Sequence, residues 1–208
     1  VNGKPLFPIL FAFTGGVDGF IIETCQDPLQ IKAAVNGAKI ARAELKTETP
    51  IFVQVTVETT GTLLVGADIA AAATVIHSLD VPLIGLNCAT GPAEMSEHLR
   101  HLARRAKATV GAMPNAGLPE LTADGARYPL GPEALADALG HYLDDFGLAV
   151  IGGCCGTTPE HISALRAEVG DHAYVRPEPE DKSPLVLTCR SLSVPLGFEQ
   201  PLAVIGER

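Results

Sequence analysis

Short apolar segments alternate with helix-start signals five times along this chain, and this alternation restricts the possible fold more than any other feature. The predicted strands cover residues 17–24, 51–57, 81–88, 110–113 and 148–151. The predicted helices cover residues 28–43, 68–78, 92–106 and 132–146, and a last helix ends near residue 169. Several of them begin with a hydroxyl or carboxylate side chain before a proline, which is typical of an N-cap and a first helical position. Strands that are apolar on both faces and alternate with helices predict a parallel sheet covered by crossover helices.

The residues at the ends of these strands predict where a site would form. Polar or thiol side chains end four of the five strands or follow them directly: Glu23, Cys88, Asn115 and the pair Cys154-Cys155. In a (β/α)8 barrel, active sites are built at the carboxyl ends of the strands. Five strand–helix units do not close an eight-stranded barrel, which typically takes about 250 residues. The predicted fold class is therefore α/β, a partial (β/α)8 TIM barrel with about five of its eight units.

Composition changes on both sides of this regular part. Residues 1–15 mix turn formers with apolar residues and do not continue as a helix, so they predict an atypical N-terminal segment. Residues 176–184 are charged and proline-rich, which is typical of an extended linker. Residues 201–208 resemble the beginning of another strand. The predicted division of the chain is 1–15, a barrel part at 16–172, and a linker region at 173–208.

Three of the five cysteines are candidates for a metal site. Cys154 and Cys155 lie between glycines where a predicted strand ends and a helix begins, and Cys88 ends another strand. Adjacent cysteines do not easily form a disulfide with each other, because its geometry is specific. Three thiolates with one open coordination position are typical of a catalytic zinc site. The alternatives are a structural zinc site that lacks a fourth cysteine, and three unrelated buried thiols.

The sequence resembles the homocysteine S-methyltransferase family, and within it the homocysteine-binding module of cobalamin-dependent methionine synthases. The resemblance extends from about Gly16 to Arg208. Three stretches carry it: Gly85-Leu86-Asn87-Cys88, Pro114-Asn115-Ala116-Gly117 and Gly152-Gly153-Cys154-Cys155-Gly156. It implies that the chain forms the C-terminal part of the barrel, the fourth to eighth strands, and that residues near 201–208 begin a folate-binding domain.

The resemblance also implies roles for individual side chains. Cys88, Cys154 and Cys155 would hold zinc, and the sulfur of homocysteine would take the fourth position. Asn115 would occupy that position without substrate, although Pro-Asn followed by glycine is also a common turn. Glu23 would bind the substrate's α-ammonium group, with a surface carboxylate as the alternative. Thr24 and Asn87 are weaker candidates for contact with substrate.

The implied activity is methyl transfer to homocysteine, which gives methionine. Methylcobalamin, carried on other domains of a parent enzyme and regenerated by its folate domain, would be the donor. One alternative is a homocysteine methyltransferase that uses betaine or an S-methyl donor. Another is an inactive zinc-binding remnant of the barrel, and a third is an unrelated barrel enzyme such as a lyase.

Charge and composition argue against other classes. A net charge of −9 disfavours nucleic-acid binding, which depends on phosphate neutralisation by Lys and Arg. No apolar run approaches the ~20 residues of a membrane span. Five cysteines without secretory features indicate a reducing compartment, so the predicted location is cytoplasmic. Cys25 and Cys189 are predicted to be ordinary thiols, and the six histidines to be solvated or capping residues.

Overall fold

The computed structural model of this protein describes residues 12, 14–123, 125–175, 178, 185–189, 191–197 and 199–201. Most of the predicted N-terminal segment at 1–15 lies outside the described residues. The same holds for nearly all of the charged, proline-rich stretch at 176–184, and for the predicted strand at 201–208 beyond its first residue. The predicted domain boundaries therefore remain predictions.

Strands and helices alternate through the main part of the chain. The strands are β1 Phe20–Cys25, β2 Ile51–Val55, β3 Leu83–Asn87, β4 Thr109–Met113, β5 Glu120–Thr122, β6 Gly125–Arg127, β7 Val150–Ile151, β8 Leu185–Thr188 and β9 Ser193–Leu196. The helices are α1 Pro28–Leu45, α2 Ile69–Ser78, α3 Pro92–Arg105, α4 Pro132–Phe146 and α5 Pro159–Val169. Among the described residues, no helix combines the length and the apolar character that crossing a bilayer requires.

Five strands form one parallel sheet in the order β1-β2-β3-β4-β7. Sequential strands are neighbours because each helix returns the chain to the same end of the sheet, as strand–helix–strand units require. All residues of β3 are buried, which explains its unbroken apolar sequence. The prediction of an α/β fold with five parallel strand–helix units is confirmed.

One face of the sheet packs against the helices and forms the main core. Val53 and Val55 of β2 and Ile84 and Leu86 of β3 belong to a cluster with buried helix residues such as Leu99. The residues between them point to the opposite face, because side chains alternate along a strand.

On this opposite face, Gln54 of β2 pairs with Gly85 of β3, and Gly85 pairs with Gly111 of β4.

Helix starts agree with the predictions because their capping side chains are in place. Asp27 Oδ1 accepts a hydrogen bond from Leu29 N at 2.8 Å, and Asp68 Oδ1 accepts one from Ala71 N at 2.7 Å. Both capping residues have extended backbones, as N-cap residues do. The predicted helix bounds are therefore close to those observed.

Two hairpins were not predicted. The first, β5–β6, lies within the predicted loop 115–131, and the residues of its two strands are exposed. The second, β8–β9, lies within the predicted linker region, and Ser191 O in its turn accepts a hydrogen bond from Asp68 N at 3.2 Å. Both are short and largely exposed, so neither has the buried apolar run by which the other strands were recognised. The last strand of the sheet, β7, is also shorter than the predicted 148–151.

Candidate metal centre

Three cysteine sulfurs meet at the carboxyl end of the parallel sheet. Cys88 follows β3 directly, and Cys154 and Cys155 come just after β7. The Sγ atoms of the three residues all lie within 4.8 Å of one another, and those of Cys88 and Cys155 are 3.6 Å apart. In the described part of the chain this is the one cluster of His, Cys, Asp or Glu side chains with metal-binding geometry. The structure thus brings together the three residues that the sequence singled out.

The backbone at Cys88 turns sharply as it leaves β3. Cys88 and Ala89 have φ angles of 62° and 58°, in the left-handed region that non-glycine residues rarely adopt. Hydrogen bonds hold this conformation: Cys88 N donates to Met113 O at 3.1 Å, and Thr90 N donates to Cys88 O at 2.7 Å. Residues in such conformations cost of order 1–3 kcal/mol each and cluster at functional sites. The strained turn places the Cys88 sulfur above the end of the sheet.

Glycines allow the loop with the two adjacent cysteines to close. A Cβ atom on Gly153 would lie 2.1 Å from Oγ1 of Thr157, and one on Gly156 would lie 2.3 Å from Cγ of Tyr128. Gly156 also has a φ of +80°, which disfavours any other residue. The loop is tied to the neighbouring strand end, since Cys154 N donates to Pro114 O at 2.7 Å.

The buried Asn87 and the exposed Thr24 form a bridge between β3 and β1 beside the sulfurs. Thr24 N donates to Asn87 Oδ1 at 2.9 Å, and Asn87 Nδ2 donates to Thr24 Oγ1 at 3.0 Å. The same amide nitrogen lies 3.9 Å from Cys154 Sγ, within the range of a weak hydrogen bond to sulfur. Asn87 is fully buried, so its amide orients the Cys154 sulfur as well as joining the two strands.

Asn115 is used as a backbone clamp. Its Oδ1 accepts a hydrogen bond from Cys155 N at 3.1 Å, and its own N–H donates to Thr90 O at 3.0 Å. The side chain is almost completely buried, with 2% of its residue surface exposed. Asn115 therefore joins the loop after β3 to the loop after β7, a role that sequence analysis did not predict.

Glu23 directly precedes Thr24 in β1, at the carboxyl end of the sheet where the sulfurs lie. Its side chain is exposed. Its carboxylate is thus accessible from solvent next to the Thr24–Asn87 bridge, and its predicted contact with substrate remains a prediction.

Burial and the neighbouring thiols affect the protonation of Cys88. Burial raises the pKa of Cys88 to about 12; the Ala89 backbone N–H opposes this rise, whereas hydrogen bonds with Cys154 and Cys155 add to it. Without a cation the Cys88 thiol therefore favours the protonated form.

The sulfur geometry fits zinc. In a tetrahedral site with Zn–S bonds of about 2.3 Å, two coordinating sulfurs are about 3.8 Å apart. The Cys88–Cys155 separation of 3.6 Å is close to this value. Three thiolates are also the soft donors that zinc favours in proteins, and they leave one tetrahedral position for a further ligand.

Sequence analysis predicted no role for Tyr128, and for His161 it predicted only a solvated or capping role. Tyr128, from the predicted loop, lies over Gly156, and hydrogen bonding with Cys155 is the main cause that raises the pKa of its phenol. His161 caps α5, as one of the predicted alternatives held: Thr158 N donates to its Nδ1 at 3.2 Å. Its Nε2 also lies 2.9 Å from Leu130 O, and the side chain is buried. Nothing in the local sequence pattern pointed to Tyr128.

Comparison with known proteins gives a consistent result. A sequence profile described as homocysteine S-methyltransferase matches residues 7–169. The methionine synthase of Mycobacterium tuberculosis (strain ATCC 25618 / H37Rv) is 51% identical over 194 residues, which are 93% of this chain and 16% of that protein. The methionine synthase of Mycobacterium leprae (strain TN) is 49% identical over 197 residues, with the same two coverages. The chain thus spans about one sixth of the length of these curated relatives.

Solved structures are similar in fold. The apo form of the homocysteine methyltransferase MmuM from Escherichia coli has a TM-score of 0.55 and 19% identity, over 78% of this chain and 57% of that one. Its metallated form has a TM-score of 0.56 and 19% identity, over 78% and 51% of the two chains. At this level of identity the likeness concerns the fold alone, and it agrees with a partial barrel.

Proposed function

This chain belongs to the homocysteine S-methyltransferase family, and we propose that it forms the zinc- and homocysteine-binding part of a methionine synthase. In this proposal Cys88, Cys154 and Cys155 bind zinc, and the thiol of homocysteine takes the remaining position. The observation that carries the proposal is the convergence of three sulfurs within 4.8 Å at the carboxyl end of the sheet. The family match and the two mycobacterial relatives support the choice of substrate.

The chemical task is to present a thiolate near neutral pH. A free thiol has a pKa near 8.5, so most of it is protonated at pH 7. Zinc bound by the three cysteines would supply the positive charge that deprotonates the substrate thiol. The thiolate then attacks the methyl group of the donor: the new S–CH3 bond forms, and the bond between the methyl group and the donor breaks with its electron pair left on the donor.

The side chains around the sulfurs prepare this step. Two asparagine amides hold the loop after β7 that carries the adjacent cysteines. Asn115 Oδ1 accepts a hydrogen bond from Cys155 N at 3.1 Å, and Asn87 Nδ2 lies 3.9 Å from Cys154 Sγ. Glu23, exposed at the same end of the sheet, would pair with the α-ammonium group and orient the amino acid by a charge-assisted hydrogen bond. Thr24 and Asn87 would contact the substrate next to it.

The methyl donor in this proposal is methylcobalamin. The curated relatives are methionine synthases, and the chain spans only 16% of their length, which leaves room for domains that carry cobalamin and folate. Residues 173–208 would comprise a linker after the barrel part at 16–172 and the start of the folate-binding domain. We also propose a cytoplasmic location, because a reducing compartment keeps three free thiolates available for zinc.

Zinc content tests the metal site directly. The chain purified without chelator should contain about one zinc per molecule, as a three-cysteine site predicts. Cys88→Ser and Cys155→Ser should each lower the zinc content at least tenfold, measured by elemental analysis after equilibration with a zinc buffer. Cys189→Ser is the matched control, because Cys189 lies on the exposed β8–β9 hairpin, and it should retain zinc. Equal zinc content in all four proteins would refute the assignment.

Methionine formation from homocysteine and free methylcobalamin tests the reaction. Product from the zinc-loaded chain, lost in Cys155→Ser, would support the methyltransferase. Bound zinc without product, also after addition of the remaining domains of the parent enzyme, would support the inactive remnant instead. Product with betaine or an S-methyl sulfonium compound, and none with methylcobalamin, would identify the alternative donor.

A further inference from the structure

A cleft lies between the helices α2 and α3 and the β8–β9 hairpin. Its volume is about 1060 Å³, at the upper end of the range of small-molecule sites, about 300–1,000 Å³. The hydrogen bond from Asp68 N to Ser191 O attaches the hairpin to the N-terminus of α2. The hairpin therefore forms one wall of this cleft, which is called the α2–hairpin cleft below.

Four side chains that can carry a positive charge line the α2–hairpin cleft. They come from the C-terminal parts of α2 and α3 and from the residues just after α3: His77, His101, Arg105 and Lys107. His77 Nε2 accepts a hydrogen bond from Lys107 N at 3.2 Å, which joins the ends of the two helices. These ends precede β3 and β4, so the basic residues lie at the end of the sheet opposite the cysteine sulfurs.

The charge in the cleft has one sign. None of its described lining residues is an Asp or Glu, although the chain has 24 of these residues and only 15 Lys and Arg. Interaction with the helix dipoles accounts for cations at the helix ends, but not for this exclusion of acidic side chains. Burial is the main cause that lowers the pKa of His77 and His101; Lys107 adds to it at His77 and Arg105 at His101, against Asp68 at His101. The cations thus act on both rings, and an anion in the cleft would be attracted to them.

Apolar side chains form another part of the lining. The helix α2 contributes Ala70 and Ala73, and the hairpin contributes Leu185, Val186 and Pro195. Small-molecule sites typically combine such surfaces with a few polar groups that fix the orientation of the ligand. A ligand that uses the whole cleft would therefore have a charged group and an apolar part.

We propose that the α2–hairpin cleft binds a small amphipathic anion, whose phosphate or carboxylate group contacts Arg105 and Lys107 and whose apolar part lies against the hairpin. A guanidinium group binds such anions through two parallel hydrogen bonds, and an ammonium group acts as a point charge. This site is independent of the zinc site and of the proposed methyl transfer.

Naphthyl phosphate is a suitable probe, because it joins a phosphate group to an apolar ring system. Isothermal titration calorimetry with the full chain, in a phosphate-free buffer of low ionic strength, should show one binding site. Inorganic phosphate has only the charged group and naphthol only the rings, so each should bind much more weakly. Naphthylacetate, with a carboxylate in place of the phosphate, shows which of the two anionic groups the cleft prefers.

Two substitutions locate the probe. Arg105→Gln and Lys107→Gln should each weaken the binding of naphthyl phosphate about fivefold, as loss of an exposed charge pair does; both residues are exposed, so the fold should tolerate the changes. Arg104→Gln is the matched control, because it removes the same charge from the neighbouring, exposed residue of α3, which is not part of the lining. It should bind the probe as the wild type does.

Three results would overturn the proposal: no binding of naphthyl phosphate at millimolar concentration, equal weakening in Arg104→Gln and Arg105→Gln, or equal affinity for naphthol and naphthyl phosphate. Cys155→Ser should bind the probe with unchanged affinity, since Cys155 does not line the cleft. Failure of this site would therefore leave the proposed function intact, and loss of zinc would leave this site intact.

Discussion

Gln54 is a fully buried side chain on β2 whose amide nitrogen and oxygen both lack a hydrogen-bond partner within the described structure. A buried polar group without a partner costs about 1–3 kcal/mol. The side chain fits there because its neighbours on β3 and β4 are Gly85 and Gly111. A Cβ atom on Gly85 would lie 2.8 Å from Gly111 O and 3.2 Å from Gln54 Cγ, so glycine is required beside this long side chain.

Replacing Gln54 with methionine should stabilise the fold. Gln54→Met keeps the unbranched shape and removes the unpaired amide, so we expect the free energy of unfolding to rise by about 1–2 kcal/mol. Urea unfolding followed by circular dichroism measures the change. Gln200→Met, at an exposed position, should stay within about 0.5 kcal/mol of the wild type. A loss of stability in Gln54→Met would mean that the amide makes a favourable contact in the fold.

At the scale of single residues, sequence analysis recognised side chains whose chemistry is specific. Three cysteines were recognisable from the sequence: Cys88, Cys154 and Cys155. Their places at strand ends predict a site at the carboxyl end of the sheet, and thiols beside glycines predict that a metal binds there. The role of Asn115 as a clamp on Cys155 N was not recognisable, since it depends on where two distant loops meet. Tyr128 was missed for the same reason, because its position over Gly156 results from the packing of a loop.

At the scale of elements, Asp68 connects the first turn of α2 to the β8–β9 hairpin. Its carboxylate caps the helix through Ala71 N at 2.7 Å, and its backbone N–H donates to Ser191 O at 3.2 Å. The helices were predicted within a few residues because such caps are local and appear in the sequence. The hairpins were not predicted, since their strands contain no buried apolar run.

Loss of the Asp68 cap should lower the free energy of unfolding by the amount typical of a helix N-cap. Asp68→Ala removes the acceptor for Ala71 N, and we expect the free energy of unfolding to fall by about 0.5–2 kcal/mol. Asp68→Asn keeps an acceptor oxygen and should stay close to the wild type. Asp27→Ala removes the equivalent cap of α1 and should give a similar loss. Chemical denaturation measures all three, and an unchanged Asp68→Ala would show that the cap contributes nothing.

At the scale of the whole molecule, burial depresses the ionisation of three histidines on α2 and α3. Burial is the largest cause that lowers the pKa of His77, His98 and His101 below the ordinary value of 6.5. Lys107 adds to the effect at His77 and Arg105 at His101, whereas Glu97 opposes it at His98. The folded chain therefore keeps these side chains neutral at pH values where the unfolded chain protonates them.

The sign of the resulting pH dependence is fixed by linkage. Between the lowered folded pKa values and 6.5 the unfolded state binds more protons, so stability falls as the pH decreases from about 7 through this range. Urea midpoints of the metal-free, reduced protein at pH 7.5, 6.5 and 5.5 measure the loss. The triple variant His77→Gln/His98→Gln/His101→Gln should lose less over the same range. An equal loss in both proteins would assign the pH dependence to other groups.

The fold as a whole was predictable to the level of five parallel strand–helix units, because each unit has its own local pattern. The order β1-β2-β3-β4-β7 follows because sequential strands joined by a crossover helix usually lie next to each other in a sheet. The length of β7 was not predictable, because Leu148 and Ala149 have the same apolar character as the strand that they precede.

The two parts of the cysteine cluster come from distant places in the sequence, and everything from α3 to β7 lies between them. A cation held by all three sulfurs would close this long segment into a loop, as a covalent staple does, and the entropy of the unfolded chain would fall accordingly. Unlike a disulfide, this closure depends on the concentration of the free ion, since a ligand that binds only the folded state stabilises it by RT ln(1 + [L]/Kd). The melting temperature of the chain would then rise with the concentration of free zinc, and starvation for the metal would loosen the strands β3, β4 and β7 at whose end the sulfurs meet.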